Sequence, residues 1–165
     1  MTHLEIINKK IFHSSAEFEK TLNYYRFKNL TKVFTNGCFD IMHLGHIDYL
    51  AKAADLGNVL IVGLNSDQSV RKIKGQNRPI LDIHARSMML ASLSFVTAVV
   101  IFEEETPLDL IRFVGPEVLV KGSDYTVENT VGADIVQEKG GKVVLIDLVE
   151  GYSTTLIANK IIGNK

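Results

Sequence analysis

The chain has 165 residues and a formal net charge of −1, and this length predicts one domain with a sizeable hydrophobic core. The balanced charge does not indicate a surface for nucleic acid or a membrane, so we expect neither as a partner. The most apolar region, near residues 95–102, is too short to span a bilayer, and the first residues lack a signal-peptide pattern. The single cysteine, Cys38, excludes an internal disulfide and fits a reducing compartment, so we expect a cytoplasmic protein.

The first 30 residues are expected to form an N-terminal helical extension, and residues 31–165 the main domain. Residues 1 to about 13 show little pattern. Ser14 and Ser15 are suitable helix caps, and Phe18, Leu22 and Tyr25 recur at helical spacing. A helix is therefore predicted from about residue 16 to residue 26, packed on the domain that follows.

Apolar strands alternate with helices through the rest of the chain. The patterns predict strands at residues 33–35, 59–64, 98–102, 118–121 and 143–146, and helices at about 44–56, 83–93, 107–114, 133–139 and 154–161. Gly57 is expected as a helix C-cap, and Thr106 as an N-cap before Pro107. Met89 is expected to face inward, and residues 71–79 to form a basic, polar loop.

This alternation predicts an α/β fold with a Rossmann-like parallel sheet of about five strands and helices on both faces. Ligands bind such sheets beyond the carboxyl ends of the strands, where the strand order reverses. Four polar segments follow apolar strands or open helices and should converge on that edge: residues 35–40, 65–67, 121–125 and 153–155.

The segment from Val33 to His46 combines a buried strand, a turn that contains Gly37, and the start of a helix. His43 and His46 are three residues apart and therefore share one helix face. Gly45 between them leaves room for another molecule to approach. A helix N-terminus offers unpaired N–H groups and partial positive charge, which suit phosphate. Two imidazoles there add donors for charge that develops on phosphate oxygens.

The residues His43–His46, set behind Thr35–Asp40 and an apolar strand, resemble the H-x-G-H signature of the nucleotidyltransferase superfamily related to cytidylyltransferases. The alternative is two surface histidines beside a turn, which the strand–turn–helix setting disfavours. The sequence contains neither a P-loop motif nor the Gly-x-Gly-x-x-Gly dinucleotide motif.

Over residues 27–162 the chain resembles a narrower family, the adenylyltransferases that make ADP-heptose. The matching blocks, in the same order, are Phe34–Ile41, Asn65–Asp67, Lys74-Gly75 with Arg78-Pro79, Glu104–Pro107, Val120–Tyr125, Gly140–Val143 and Gly151–Thr155. The resemblance implies transfer of AMP from ATP to D-glycero-β-D-manno-heptose 1-phosphate by direct attack on the α-phosphorus. It further implies Mg²⁺ bound with ATP and not in a protein cage, a separate sugar kinase chain that supplies the sugar 1-phosphate, and a homodimer.

The resemblance also implies roles for individual residues. His43 and His46 would be catalytic, contacting the ATP phosphates and stabilising the transition state. The residues implied in nucleotide binding are Thr35, Asn36, Gly37, Cys38, Phe39, Gly45, Lys121, Gly122, Asp124, Ser153, Thr154 and Thr155. Those implied in binding the sugar substrate are Asp40, Asn65, Asp67, Lys74, Arg78 and Arg86.

Each of these roles has a structural alternative. Lys74 and Arg78 fit equally well as solvated loop charges. Arg86 could instead cap or form an ion pair on a helix face. Asp67 and residues 153–155 fit as helix or turn caps, and Asp124 as a loop brace.

Two other functions remain open. A cytidylyltransferase acting on glycerol 3-phosphate or a similar phospho-alcohol belongs to the same superfamily, but Gly151-Tyr152 before Ser153 departs from its R-x-x-G-[IV]-S-T-[ST] pattern. A non-catalytic nucleotide-binding module is disfavoured because both histidines are present. Cys38 is not expected to be a nucleophile, since direct displacement needs no covalent intermediate.

Overall fold

The computed structural model describes residues 1–163. It contains a six-stranded parallel sheet in the order β1-β4-β3-β2-β5-β6. In chain order the elements are α1 (His3–Asn8), β1 (Ile11–Phe12), α2 (Ser15–Phe27), β2 (Lys32–Gly37), α3 (Leu44–Ala54), β3 (Val59–Asn65), α4 (Asp67–Lys74), α5 (Ile83–Ser92), β4 (Ala98–Phe102), α6 (Leu108–Val114), β5 (Val118–Gly122), α7 (Ala133–Glu138), β6 (Lys142–Ile146) and α8 (Thr154–Ile162). The predicted Rossmann-like α/β architecture is confirmed, with six strands in place of about five. Within residues 1–163, no helix combines the length and the apolar character needed to cross a membrane.

Both faces of the sheet are covered, because alternate residues along a strand point to opposite sides. Val33 of β2 packs in one core cluster with Leu50 of α3. The next residue, Phe34, packs in a second cluster with Ile61 of β3 and Leu22 of α2. Every residue of β3 is buried, which accounts for its continuous apolar run.

The segment before residue 31 contributes to this sheet and to its core. β1 pairs in parallel with β4, placing Ile11 opposite Val99, although the sequence pattern did not predict this strand or α1. On α2, Phe18 and Leu22 are 0% exposed. The boundary placed at residue 30 stays a prediction.

One loop prediction and one helix-cap prediction are wrong. Residues 67–74 form α4, which begins after Ser66, whose hydroxyl accepts a hydrogen bond from the Ser69 backbone N–H at 3.2 Å. Gly57 is not a C-cap, since α3 ends at Ala54 with Asp55 as its C-cap. Gly57 instead permits close packing, because a Cβ there would lie 2.8 Å from the Thr31 carbonyl oxygen.

Two helix predictions also differ from the structure. The N-cap of α6 is Pro107, with no side-chain capping bond, so Thr106 does not cap this helix. On α5, Leu90 is 0% exposed but Met89 is 37% exposed. Met89 therefore faces outward, contrary to expectation.

The strand order reverses between β2 and β5. From β2 the chain runs outward through β3 and β4, then crosses to the other side of β2 for β5 and β6. The pairing of β2 with β5 covers Val33–Val118 and Phe34–Leu119, whereas the pairing of β2 with β3 continues to Gly37–Leu64. A crevice thus opens between the carboxyl ends of β2 and β5, at the position where such sheets bind ligands.

Candidate functional site

A cleft of about 570 Å³ lies over this crevice. The residues singled out from the sequence that line it are Asn36, Gly37, Cys38, Phe39, Asp40, His43, Gly45, His46, Lys74, Arg78, Lys121, Gly122, Asp124, Ser153, Thr154 and Thr155. Those that do not line it are Thr35, Asn65, Asp67 and Arg86. The carboxyl ends of the central strands therefore do bring the motifs together.

The turn after β2 forms part of the cleft wall. Phe39 has a left-handed backbone with φ of 44°, and its ring folds back over Gly37. A Cβ at Gly37 would lie 3.0 Å from that ring, and a Cβ at Gly45 would lie 3.1 Å from the His43 ring. Both glycines therefore make room for neighbouring side chains of the site itself.

His43 and His46 form a stacked pair, with ring centroids 3.8 Å apart and an angle of 25° between the rings. His43 is the N-cap of α3 and His46 lies in its first turn, so both stand at the positive end of the helix. Burial, with a smaller effect from His43, lowers the pKa of His46 to about 4, and burial also lowers the pKa of His43. Burial therefore favours the neutral form of both rings in the free protein, and an anion in the cleft would favour their protonation.

The floor of the cleft contains a buried lysine. The Lys121 ammonium donates to Asn36 Oδ1 at 2.6 Å. Burial lowers the pKa of Lys121 to about 8, although Asp124 and Cys38 act in the opposite direction. Lys121 is thus still charged near pH 7, but burial makes its charged form less favourable than that of an exposed lysine.

Cys38 lines the cleft as a thiol. Burial raises its pKa, which the nearby Lys74 and Arg86 partly oppose. Because the thiolate is the nucleophilic form, this environment agrees with the expectation that Cys38 is not a nucleophile.

Asp40 braces the turn against the segment between α4 and α5. Its carboxylate accepts hydrogen bonds from the backbone N–H groups of Ile80 at 2.7 Å and Leu81 at 3.0 Å, and from Arg78 at 2.8 Å. Burial alone would raise the pKa of Asp40, but these three donors lower it below its usual value. The side chain is 5% exposed, so most of its hydrogen-bonding capacity is already used within the protein.

Arg86 lies behind the cleft and is 0% exposed. Its guanidinium donates to the carbonyl oxygens of Cys38 at 2.6 Å and Leu81 at 3.1 Å, and to Asp67 at 2.7 Å. The structure therefore places Arg86 in an ion pair with Asp67 that holds the Cys38 carbonyl, outside the cleft lining. A role of either residue in binding the sugar stays a prediction.

Two further predicted residues lie beneath the lining. Thr35 is 0% exposed, and its hydroxyl lies 2.7 Å from that of Tyr49. Asn65 is 3% exposed and donates to the Ser69 hydroxyl at 2.9 Å. Both support the site from within the core.

The rim of the cleft combines cations with a helix N-terminus. Lys74, at the end of α4, is exposed, and Arg78 is half-buried. Ser153 is the N-cap of α8, and its hydroxyl accepts from the Leu156 backbone N–H at 3.1 Å. Thr154 and Thr155 follow in the first turn, where free backbone N–H groups favour an anion.

The segment 121–125 was expected at this edge, and its Tyr125 does line the cleft. Four other cleft residues were missed from the sequence: Tyr49, Leu148, Val149 and Tyr152. Tyr49 had a usable signal, since it lies three residues after His46 and therefore on the same helix face. Leu148 and Val149 lie between β6 and α8, where no periodicity marks them. Among the described residues, no group of three or more His, Cys, Asp or Glu side chains is arranged to hold a metal ion.

Comparisons with known proteins place this geometry in context. Curated relatives called "Bifunctional protein HldE" include those of Syntrophotalea carbinolica, 45% identical over 97% of this chain and 35% of the relative, and Campylobacter jejuni subsp. doylei, 55% identical over 89% and 31%. The protein of that name from Mesorhizobium japonicum is 53% identical over 93% of this chain and 31% of the relative. The chain thus spans about a third of the length of these relatives.

Solved structures and a family model also match. A "lipopolysaccharide core biosynthesis protein" from Thermoplasma volcanium has a TM-score of 0.58 at 27% identity, covering 75% of this chain and 99% of that one. A pantoate-beta-alanine ligase from Francisella tularensis, with a TM-score of 0.61 at 18% identity over 93% of this chain and 77% of that one, shares the fold. The model of the Cytidylyltransferase-like family matches residues 34–160, which include the stacked histidines and the turn before them. The chain therefore belongs to the cytidylyltransferase-like family.

Proposed function

We propose that this chain transfers AMP from ATP to D-glycero-β-D-manno-heptose 1-phosphate, giving ADP-heptose and pyrophosphate. The observation that carries the proposal is the stacked pair of His43 and His46 at the N-terminus of α3, facing a cleft at the point where strand order reverses. The sequence blocks shared with ADP-heptose adenylyltransferases and the HldE relatives support the choice of substrates.

In the proposed reaction a sugar phosphate oxygen attacks the α-phosphorus of ATP while pyrophosphate leaves. The protein mainly positions two anions and stabilises the charge that builds between them. His43 and His46 would donate hydrogen bonds to phosphate oxygens, and the phosphates would in turn favour protonation of the rings. Lys74 at the rim adds positive charge where two anions must approach each other. Arg78, whose charge is balanced by Asp40, would offer its remaining N–H donors to the sugar phosphate.

The remaining lining divides between the base and the leaving group. Leu148, Val149 and Tyr152 form an apolar part of the lining, which suits the face of an adenine ring. Ser153 and the backbone N–H groups at the start of α8 suit the outgoing pyrophosphate. Gly122, the last residue of β5, and Asp124 also line the cleft, and in this proposal they border the nucleotide.

Mg²⁺ enters this proposal as part of the ATP substrate, neutralising the triphosphate. A sugar kinase would supply the sugar 1-phosphate. The sequence led us to expect this kinase as a separate chain. The relatives are named "bifunctional" and are about three times as long as this chain. Both facts favour the alternative that the kinase is fused to the transferase in those proteins. A cytoplasmic homodimer remains part of the proposal.

The test is pyrophosphate release with Mg²⁺, crossing ATP and CTP against heptose 1-phosphate, hexose 1-phosphates and glycerol 3-phosphate. We expect release with ATP and heptose 1-phosphate, and background rates elsewhere. A matched preparation in which both His43 and His46 are replaced by Ala supplies that background. Release with CTP and glycerol 3-phosphate instead would assign the chain to the alternative cytidylyltransferase reaction, and no release with any pair would favour a binding module.

A further inference from the structure

Lys121 occupies an unusual position in the sheet. The paired positions of β2 and β5 end at Phe34 and Leu119, and Asn36 and Lys121 each lie two residues further along their strands. Their side chains therefore point to the same side of the sheet, at the start of the crevice. This register explains why the ammonium meets the Asn36 amide oxygen at 2.6 Å.

The ammonium is incompletely satisfied by the protein. Lys121 is 9% exposed, and its three N–H donors have one hydrogen-bond acceptor among the described residues, Asn36 Oδ1. No carboxylate of residues 1–163 lies within ion-pair distance of it. The Tyr125 ring, with its centroid 5.3 Å away, contributes a weaker attraction. Two donors are thus left for a ligand in the cleft that Lys121 lines.

The groups around the ammonium make it responsive to an anion. Asp124 and Cys38 favour its charged form, but burial outweighs them and lowers the pKa of Lys121 to about 8. Tyr125 faces it from the same loop as Asp124, and Tyr49 and His46 line the same cleft from α3. A buried cation without a counter-ion is costly, so an incoming anion would both bind it and favour its protonation.

We propose that the Lys121 ammonium, oriented by Asn36, binds a phosphate oxygen at the crevice between β2 and β5 and so selects for a phosphate ester on one of the two substrates. This inference rests on the proposed function for the identity of those substrates. The phosphate has two possible sources, the triphosphate of ATP or the sugar 1-phosphate. The chemistry that Lys121 recognises is the same in both.

The test is isothermal titration calorimetry of the whole chain, without turnover. Wild type and Lys121→Met are titrated separately with ATP in the presence of Mg²⁺, adenosine, heptose 1-phosphate and free heptose. We expect Lys121→Met to weaken binding of one phosphate compound by about tenfold or more and to leave binding of its phosphate-free counterpart unchanged. Loss for ATP assigns the contact to the triphosphate, and loss for heptose 1-phosphate assigns it to the acceptor.

A second measurement is the number of protons taken up when the phosphate compound binds. At pH 8.5, titrations in buffers of different ionisation enthalpy should show that wild type takes up a proton when the phosphate compound binds. This uptake at pH 8.5 should be absent in Lys121→Met. At pH 6.5 Lys121 is already charged, so wild type and Lys121→Met should take up the same number of protons there, through His43 and His46. Lys142→Met is the matched control, because Lys142 is exposed at the opposite end of the sheet and should behave as wild type.

Asn36→Asp provides an independent variant if Lys121→Met does not fold. A carboxylate beside the ammonium would pair with it, abolish the proton uptake and repel the phosphate. Unchanged phosphate affinity and unchanged proton uptake in either folded variant would overturn the inference. Since these are equilibrium measurements, they decide the role of Lys121 even if the pyrophosphate assay fails to detect the proposed transfer.

Discussion

At the scale of single residues, the clearest prediction concerns the loss of activity when a stacked histidine is replaced. Replacing His43 or His46 with Ala should lower the turnover of pyrophosphate release by roughly 100-fold or more, because each removes a donor aimed at charge that develops in the transition state. The fold should persist, since neither Nδ1 atom has a protein hydrogen-bond partner among residues 1–163. Steady-state rates and thermal unfolding of each variant measure the two effects separately.

His84→Ala is the control for this comparison. His84 is exposed on α5 and lies outside the cleft lining, so its replacement should leave turnover within about twofold of wild type. Near wild-type turnover in a well-folded variant lacking both His43 and His46 would exclude the mechanism proposed for this pair.

The sequence predicted at which edge of the sheet the site residues lie, but not which of their side chains line the cleft. Strand ends and the H-x-G-H pattern are local features, and parallel strands bring their carboxyl ends to one edge. Whether a polar side chain faces the cleft depends on partners far along the chain. Arg86 meets Cys38 across 48 positions, and no local pattern encodes that contact.

At the scale of elements, Arg86 links α5 to both the turn after β2 and the segment before α5. Arg86→Met would leave the carbonyl of Cys38 and the carboxylate of Asp67 without their charged donor. Removing one partner of a buried ion pair is strongly destabilising. Because the Asp67 side chain is 24% exposed and water can reach it, we expect the lower end of that range, a fall in the free energy of unfolding of about 3 kcal/mol. Urea unfolding with a fixed m-value measures this loss.

Arg112→Met is the matched control, since Arg112 forms an exposed pair with Asp109 on α6. Such surface pairs contribute about 0–1 kcal/mol, so its unfolding midpoint should barely move. If Arg86→Met were as stable as Arg112→Met but bound the sugar phosphate weakly, Arg86 would be a substrate-binding residue, as the sequence first indicated.

Short elements were the hardest to predict, and α4 shows why. Its eight residues, Asp67–Lys74, bury Ser69 and Val70 alone, so the apolar spacing that identifies a helix is missing. β1 has two residues and exists because β4 offers it a partner more than 80 positions away. In contrast, the seven residues of β3 and the five of β4 are apolar almost throughout, and the sequence predicted both strands to within one residue.

At the scale of the whole molecule, the N-terminal segment completes the second core cluster. Phe18 and Leu22 pack there with Phe34 of β2 and Ile61 of β3. The Phe18 ring also contacts that of Phe12, with centroids 4.8 Å apart and an angle of 56° between the rings. Residues before 31 thus cover one face of the sheet whose carboxyl edge carries the cleft.

Phe18→Ala tests this integration. Phe18 is 0% exposed, whereas Phe27 on the same helix is 80% exposed, so Phe27→Ala is a matched control with the same chemical change. Truncating a buried Phe to Ala leaves a cavity and costs about 3–5 kcal/mol. Phe18→Ala should therefore lower the free energy of unfolding by that amount, in a single cooperative transition. Phe27→Ala should stay within about 0.5 kcal/mol of wild type. Urea unfolding followed by circular dichroism measures both. Equal stability of the two variants, or a separate early transition in Phe18→Ala, would mean that residues 1–30 form an independent extension and that the domain from residue 31 is stable without them.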